Sequence, residues 1–331
     1  MHIGWIAAVG LVGIFGACAA SQDGRGADGG GVEATSLLGT PLVRPAVDPA
    51  RAERLERDLA AAIGRRDSSP DDPDAWVWVG RRLGYLGRFR EAVRVYDEAV
   101  GRFPKDAALL RHRGHRHLTL RNFPAATADL ARAWELAKDA PDVVEPDGAP
   151  TPGVPPRSTL KSNILYHLGL SWYFRGNFDE AAEVFGRAVA LGVNDDARVA
   201  ANWWRCLSLA RIGDKPGLAT ALALVSAPDV LGGMDVRENT AYWNLQLVWA
   251  GTRTEDSLSP KDGPLGLSVD QATIGYGLAQ LRRLRGEHQE ATQRAWAVIR
   301  NTSWASFGHI AAEADIFRDQ CDTLETRPIP R

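Results

Sequence analysis

The sequence predicts an all-α fold built from repeated units. Two stretches of the chain carry the same four residues 34 positions apart: Gly80, Phe89, Ala92 and Ala99 match Gly114, Phe123, Ala126 and Ala133. The same internal spacing occurs a third time, in Gly169, Phe178, Ala181 and Ala188. In the first unit, Trp76, Val79, Gly80 and Leu83 follow the i, i+3, i+4, i+7 spacing of one helical stripe, which indicates an amphipathic helix.

The period identifies a known type of repeat. The best unit runs from about residue 73 to 105 and contains Trp76, Gly80, Gly87, Phe89, Ala92, Tyr96, Ala99 and Pro104. It resembles the tetratricopeptide repeat (TPR), whose 34-residue unit is a pair of antiparallel helices. The resemblance implies an α-solenoid, a right-handed superhelix of helix pairs. It covers residues 73–138 and 162–193 well and 199–305 loosely, so the C-terminal units are degenerate.

The repeats divide the chain. Residues 48–138 should form an N-terminal capping helix, with Leu55, Leu59 and Ile63 at four-residue spacing, followed by two TPR units. Residues 158–331 should hold a third unit, the degenerate units and a C-terminal capping helix that covers the open end. The six prolines of residues 139–157 exclude a regular helix. That linker is either a spacer or a segment that folds back over the groove.

Composition excludes several classes of protein. The chain has 331 residues, of which 45% are hydrophobic and 24% are charged, as in an average soluble globular protein. Its 39 basic and 41 acidic residues leave a net charge of −2. No global positive field gathers nucleic acid, so nucleic acid is not an expected partner.

The N-terminus predicts export. Residues 3–17 carry no charge, which is typical of a signal peptide spanning residues 1–17. The run Phe15-Gly16-Ala17-Cys18 resembles the lipobox of bacterial lipoproteins, so Cys18 is the expected lipidation site and the only membrane attachment. The resemblance implies a cell-envelope protein, with Ala19 indicating the outer membrane facing the periplasm. An ordinary cleaved signal and an uncleaved anchor are the alternatives. Residues 18–47, glycine-rich at 21–31, are expected to form a flexible tether.

No catalytic constellation is present in the sequence, and we expect no enzyme, no cofactor and no metal. His112 and His115 lie one helical turn apart, but the interleaved arginines would repel a metal cation. If Cys18 is acylated, Cys206 and Cys321 remain as either two separate thiols or a disulfide.

The resemblance to TPR proteins implies a non-enzymatic scaffold that binds an extended peptide or a protein partner in its concave groove. In this family the first helix of each unit lines the groove. The residues expected there are basic and aromatic: Arg81, Tyr85, Arg111, His115, Tyr166, Tyr173 and Trp203. The alternative is a small-molecule or glycan receptor that uses the tryptophan-rich C-terminal half, including Trp203, Trp204 and Trp243.

Overall fold

The computed structural model describes residues 31–146, 156–258 and 269–325, with side chains described to residue 322. The predicted signal peptide, Cys18 and the glycine-rich stretch up to residue 30 lie outside these ranges, as do residues 147–155 of the proline-rich linker. Within them the fold is an all-α, TPR-like array of antiparallel helix pairs. None of the described helices is both long and apolar enough to cross a membrane.

The N-terminal part follows the predicted order. A capping helix precedes three regular pairs, which are α1 (Pro49–Ser68), α2 (Pro73–Tyr85) with α3 (Phe89–Arg102), α4 (Ala107–Thr119) with α5 (Phe123–Ala137), and α6 (Leu160–Phe174) with α7 (Phe178–Ala190). Asp72 and Asp106 cap α2 and α4 by accepting a backbone N–H in the first turn. Such caps begin the helices where the repeat pattern predicts them.

The C-terminal part is less regular. It contains α8 (Asp195–Ile212), α9 (Lys215–Ser226), the short α10 (Pro228–Leu231), α11 (Thr240–Trp249), a 3₁₀ turn (Glu255–Leu258), α12 (Val269–Leu284), α13 (His288–Asn301) and α14 (Phe307–Glu325). The helices α8 and α9 form the predicted degenerate unit, and α12 and α13 form the last pair. The final helix packs on both members of that pair, as expected of a cap.

Glycine sets the distance between the helices of each regular unit. A Cβ atom built on Gly80 would lie 2.2 Å from Tyr96 Cζ, and one built on Gly114 would lie 2.7 Å from Leu130 Cγ. Gly169 has the same relation to Phe185, at 2.6 Å. In each unit the large side chain comes sixteen residues after the glycine and occupies the space that a Cβ would fill. The repeated glycine is therefore a packing requirement of the helix crossing.

The predicted tether is shorter than expected, because residues 31–47 are folded. Strands β1 (Val32–Thr35) and β2 (Pro41–Val43) pair as an antiparallel hairpin. The Glu33 carboxylate is buried, pairs with Arg44 at 2.8 Å and accepts a hydrogen bond from the Arg90 backbone N–H at 2.9 Å. Leu42 is buried as well. These contacts attach the hairpin to the first repeat, so only residues up to 30 remain as a predicted tether.

The final helix closes the array on itself. Glu313 of α14 pairs with Arg121, in the turn between α4 and α5, at 2.7 Å, and each side chain is only 1% exposed. Glu313 also accepts the Leu37 backbone N–H at 2.6 Å, and the Trp304 indole N–H donates to the Val43 carbonyl at 2.7 Å. The hairpin, the second repeat and the C-terminal helix thus meet at one buried ion pair, which we call the clasp.

Candidate ligand-binding inner face

The first helices of the units form a continuous inner layer. The helices α2, α4, α6 and α8 contact one another from unit to unit, in addition to their partners within each pair. Residues at matching positions of successive first helices therefore lie side by side along this face. The inner face is the counterpart of the predicted groove.

Three arginines converge at the N-terminal end of the inner face. Arg81 projects from α2, and Arg111 and Arg116 project from α4; the charges of Arg81 and Arg111 both act on Arg116. A Cβ atom at Gly84 would lie 2.7 Å from Arg116 Nη1, so this glycine leaves room for the guanidinium beside α2. Tyr85 lies in the same cluster, partly exposed like Arg81 and Arg116. Of the predicted groove residues, Arg81, Tyr85 and Arg111 are therefore brought together.

Among the residues that the structure describes, one carboxylate pairs with this cluster of cations. Glu145 pairs with Arg111 at 3.0 Å, whereas neither Arg81 nor Arg116 has an acidic partner within the described ranges. Burial, together with the neighbouring positive charges of Arg111 and Arg81, lowers the pKa of Arg116 to about 10. The Arg111 Nε–H is buried without an acceptor. The cluster therefore holds positive charge that the protein does not compensate.

Glu145 reaches the inner face from the proline-rich linker. The described ends of the linker are joined by backbone hydrogen bonds, from Glu145 N–H to Ser158 O at 3.0 Å and from Leu160 N–H to Val143 O at 2.8 Å. Besides Arg111, the Glu145 carboxylate contacts His112 at 3.3 Å and accepts from the Asn163 amide. Burial alone would raise the pKa of Glu145, but Arg111 and His112 hold it below its usual range. The described ends of the linker thus fold back over the groove.

A ring cluster continues the inner face towards the C-terminus. His115 packs on His167 with ring centroids 4.3 Å apart, and Phe307 of α14 lies against both rings. Burial lowers the pKa of His167 to about 3 and that of His115 well below its usual value, so both rings are neutral at pH 7. Tyr166 completes the cluster; its hydroxyl lies 3.0 Å from the Tyr242 hydroxyl and accepts from the Trp204 indole.

Two predicted groove residues are corrected by the structure. Tyr173 is fully buried, with its hydroxyl 2.7 Å from that of Tyr276 on α12. Trp203 is 1% exposed and packs edge-on against Trp249. Both lie in the core because α11, α12 and α14 cover the inner face of the later units. Trp203 and Trp204, each 1% exposed, therefore belong to the core, which removes the basis for a glycan receptor that uses these two residues.

Two residues of the cluster were missed from the sequence. Arg116 follows the predicted His115 directly, and its match 34 residues earlier is Arg82, which gave no reason to place it on the inner face. Glu145 lies in the linker, which has no repeat register. The sequence feature that could have indicated Arg116 was Gly84. This glycine lies inside α2 and is not part of a turn, so it points to close packing by another side chain.

The two remaining predictions from the sequence concern the cysteines and a metal site. Cys206 and Cys321 are not joined by a disulfide, and burial raises the pKa of Cys206 to about 12. The structure therefore contains the separate thiols and not the disulfide. No group of three or more metal-binding side chains lies together in the part of the chain that the structure describes.

A cavity of about 370 Å³ lies at the C-terminal end of the inner face. Its walls come from α6, α8, α11 and α12, and Phe307 of α14 closes one side. It begins beside the ring cluster, because Tyr166 and His167 line it. The inner face thus carries two features, an arginine cluster at one end and a cavity at the other.

Comparisons with solved structures found similarity to two proteins described as TPR proteins and to yeast Tom70. The chain is similar to YrrB, described as a TPR protein with an unusual peptide-binding site, at 13% identity and a TM-score of 0.42, over 77% of this chain and 96% of YrrB. For a TPR protein from Parabacteroides merdae the identity is 12% and the TM-score 0.46, over 78% and 90% of the two chains. For yeast Tom70 the identity is 12% and the TM-score 0.36, over 83% of this chain and 63% of Tom70.

No protein-family model matches the chain, and no curated protein shows significant similarity to it. The assignment of a TPR-like fold therefore rests on the helix pairs of this chain and on the glycine contacts that recur within them.

Proposed function

We propose that the protein is a non-enzymatic interaction scaffold that binds an acidic, extended segment of a peptide or protein partner on its inner face. The observation that carries this proposal is the imbalance of charge in the arginine cluster. Among the described residues, Arg111 pairs with the Glu145 carboxylate, whereas the guanidinium groups of Arg81 and Arg116 have no acidic partner. Carboxylates are the planar partners that guanidinium groups bind best in proteins.

The position of the cluster supports a ligand from outside the chain. Arg81 and Arg116 are partly exposed, so an incoming carboxylate can reach them without unfolding a helix. Tyr85 offers an apolar contact beside the charges. Desolvated cations have lost favourable hydration. An anion that pairs with them therefore contributes more binding free energy here than it would on an open surface.

We also propose that the scaffold belongs to the bacterial cell envelope and is held there by a lipid on Cys18, facing the periplasm from the outer membrane. The support is the uncharged N-terminal run and the small residues before Cys18. Cell fractionation tests this location, since a Cys18→Ser chain should leave the membrane fraction. Retention of that variant with its N-terminal segment removed would contradict lipid anchoring.

The partner proposal is tested with a fluorescently labelled hexaglutamate peptide. Wild-type protein should bind it, and the double variant Arg81→Gln, Arg116→Gln should weaken binding roughly tenfold for each arginine. Arg111 is left in place because it pairs with Glu145, so that the linker stays attached. Added salt should weaken the wild-type complex.

A matched control removes the same charge elsewhere. Arg94 and Arg132 are exposed on the second helices α3 and α5, so Arg94→Gln with Arg132→Gln should leave peptide binding unchanged. An equal loss of peptide affinity in both double variants would mean that binding depends on net charge alone, and the inner-face proposal would fail. Affinity capture of partners from envelope extracts should then depend on the same two arginines.

A further inference from the structure

We propose that the cavity between α6, α8, α11 and α12 is a second binding site, for a small molecule that carries a primary ammonium group on a short apolar body. The cavity adjoins the arginine cluster, because Asn163 lines it and donates to Glu145, but the inference does not depend on the acidic partner proposed above. Its volume of about 370 Å³ lies within the range of small-ligand pockets.

Small residues on α8 create the space. Beyond Asp196 in its first turn, α8 presents Ala197, Ala200 and Ala201 to the cavity, whereas the neighbouring face of α6 presents Tyr166 and His167. The short methyl side chains of these alanines leave a gap, which the tyrosine and histidine rings border. Further alanines, Ala188 and Ala241, extend the apolar lining. The body of the ligand is therefore expected to be apolar.

The charged groups of the lining favour a cation. They are one arginine and three carboxylates: Arg157, Asp196, Glu238 and Asp270. Arg157 is neutralised, since it pairs with Asp196 at 2.6 Å and also with Asp235 at 3.2 Å. Glu238 and Asp270 have no cationic partner among the residues that the structure describes. The cavity is thus bordered by two uncompensated negative charges, the opposite of the arginine cluster.

The buried His167 side chain offers a hydrogen-bond acceptor, so the ligand should carry a group that donates hydrogen bonds. His167 is 4% exposed, and its Nδ1 lies 2.6 Å from the Asn163 carbonyl oxygen, so Nδ1 must carry the hydrogen and donate it. The Nε2 atom is then an acceptor, and within the described ranges no side chain or backbone N–H donates to it. A primary ammonium group satisfies this acceptor and the carboxylates, and the Tyr166 and Phe307 rings add favourable contact with its charge.

Isothermal titration calorimetry with 2-phenylethylamine tests the site. The wild-type protein should bind this amine and should not bind 3-phenylpropanoate, which has a similar body and the opposite charge. Trimethyl(2-phenylethyl)ammonium keeps the charge but has no N–H to donate, so it should bind about tenfold more weakly than the primary amine. Binding of the carboxylate as tightly as the amine would overturn the proposal.

Two variants distinguish amine binding in the cavity from a general effect of charge. Ala197→Leu places a larger side chain in the cavity and should abolish amine binding, with a melting temperature equal to or above that of the wild type. The double variant Glu238→Gln, Asp270→Asn should weaken binding at least about tenfold. Glu180→Gln, an exposed carboxylate on α7, should have no effect. Unchanged binding by Ala197→Leu would show that the amine binds elsewhere.

The source of the ammonium group is tested with the tripeptide Phe-Gly-Gly and its N-acetylated form. Binding of the free tripeptide alone assigns the site to a peptide N-terminus, whereas exclusion of both tripeptides assigns it to a free amine. Equal binding of the acetylated tripeptide would contradict recognition of an ammonium group. Because hexaglutamate binds through the arginine cluster, its affinity should be unaffected by Ala197→Leu, so the two proposals fail or succeed separately.

Discussion

The N-terminal and C-terminal units pack their paired helices together in different ways. In the first three units a glycine of the first helix faces a large side chain sixteen residues later, as in Gly114 and Leu130. In the last pair the corresponding sixteen-residue partners are Ala279 and Ala295, both buried. The early units thus share one glycine contact at a fixed spacing, whereas in the last pair the close contact has moved to Gly275, whose Cβ would lie 2.7 Å from Val298 Cγ2.

The C-terminal units depend instead on contacts between distant segments. Asp315 of α14 accepts hydrogen bonds from Arg211 at 2.6 Å and from Tyr276 at 3.0 Å, and it is 1% exposed. Such contacts cover the inner face of the later units beside the cavity. The early units keep a partly exposed inner face on which uncompensated arginines are tolerated. The two ends of one repeat array thus offer sites of opposite charge.

The largest expected effect concerns the clasp that joins the two halves. Glu313→Ala should destabilise the protein by about 3–5 kcal/mol, because it leaves the Arg121 guanidinium buried without its counter-charge. Urea unfolding followed by circular dichroism measures this loss. The double variant Arg121→Leu, Glu313→Leu should recover part of it, since no lone charge remains buried.

A surface pair provides the control for the clasp. Glu183→Ala breaks an ion pair with Arg187 whose side chains are 65% and 52% exposed, and it should cost less than about 1 kcal/mol. If Glu313→Ala cost no more than Glu183→Ala, the two halves would not be held together through this contact.

The fold could be predicted from the sequence to a greater extent than the site. Helical stripes and the 34-residue period are local signals, and they placed the helix pairs and the inner position of Arg81 and Arg111. The burial of Tyr173 depends on Tyr276, more than one hundred residues away, which no single repeat reveals. The Glu145 contact was hidden for a different reason, because a proline-rich segment has no periodicity from which to infer its path.

The next effect in size is a dependence of stability on pH that arises from the inner face. Burial lowers the pKa of both His112 and His167 to about 3 in the folded protein, whereas the unfolded chain should show about 6.5. As the pH falls below 6.5, these histidines bind protons in the unfolded state but not in the folded state, so the free energy of unfolding decreases. Between pH 7.5 and 5.5 the two groups should together cost about 3 kcal/mol.

Urea unfolding at both pH values measures this loss together with that from His115, His117 and His309, whose pKa values are lowered as well. Because glutamine does not titrate, His167→Gln should reduce the total loss by about 1.4 kcal/mol. The matched control is His288→Gln, since His288 is exposed on α13. A slope that His167→Gln leaves intact would assign the pH dependence to other groups and would weaken the contrast between the two halves.

The smallest expected effect concerns Glu145, which occupies within the chain the place proposed for a carboxylate of the partner. Glu145→Gln keeps the shape and the contact with Arg111 but removes the negative charge that pairs with Arg111 in the arginine cluster. Hexaglutamate should then bind roughly fivefold more tightly, about 1 kcal/mol, since less of the positive charge is already neutralised. Asp139→Asn, an exposed residue of the same linker, removes an equal charge and should leave the affinity unchanged. Weaker binding by Glu145→Gln would show that Glu145 builds the site, whereas tighter binding together with unchanged amine affinity would establish that the two ends of the inner face are electrostatically independent.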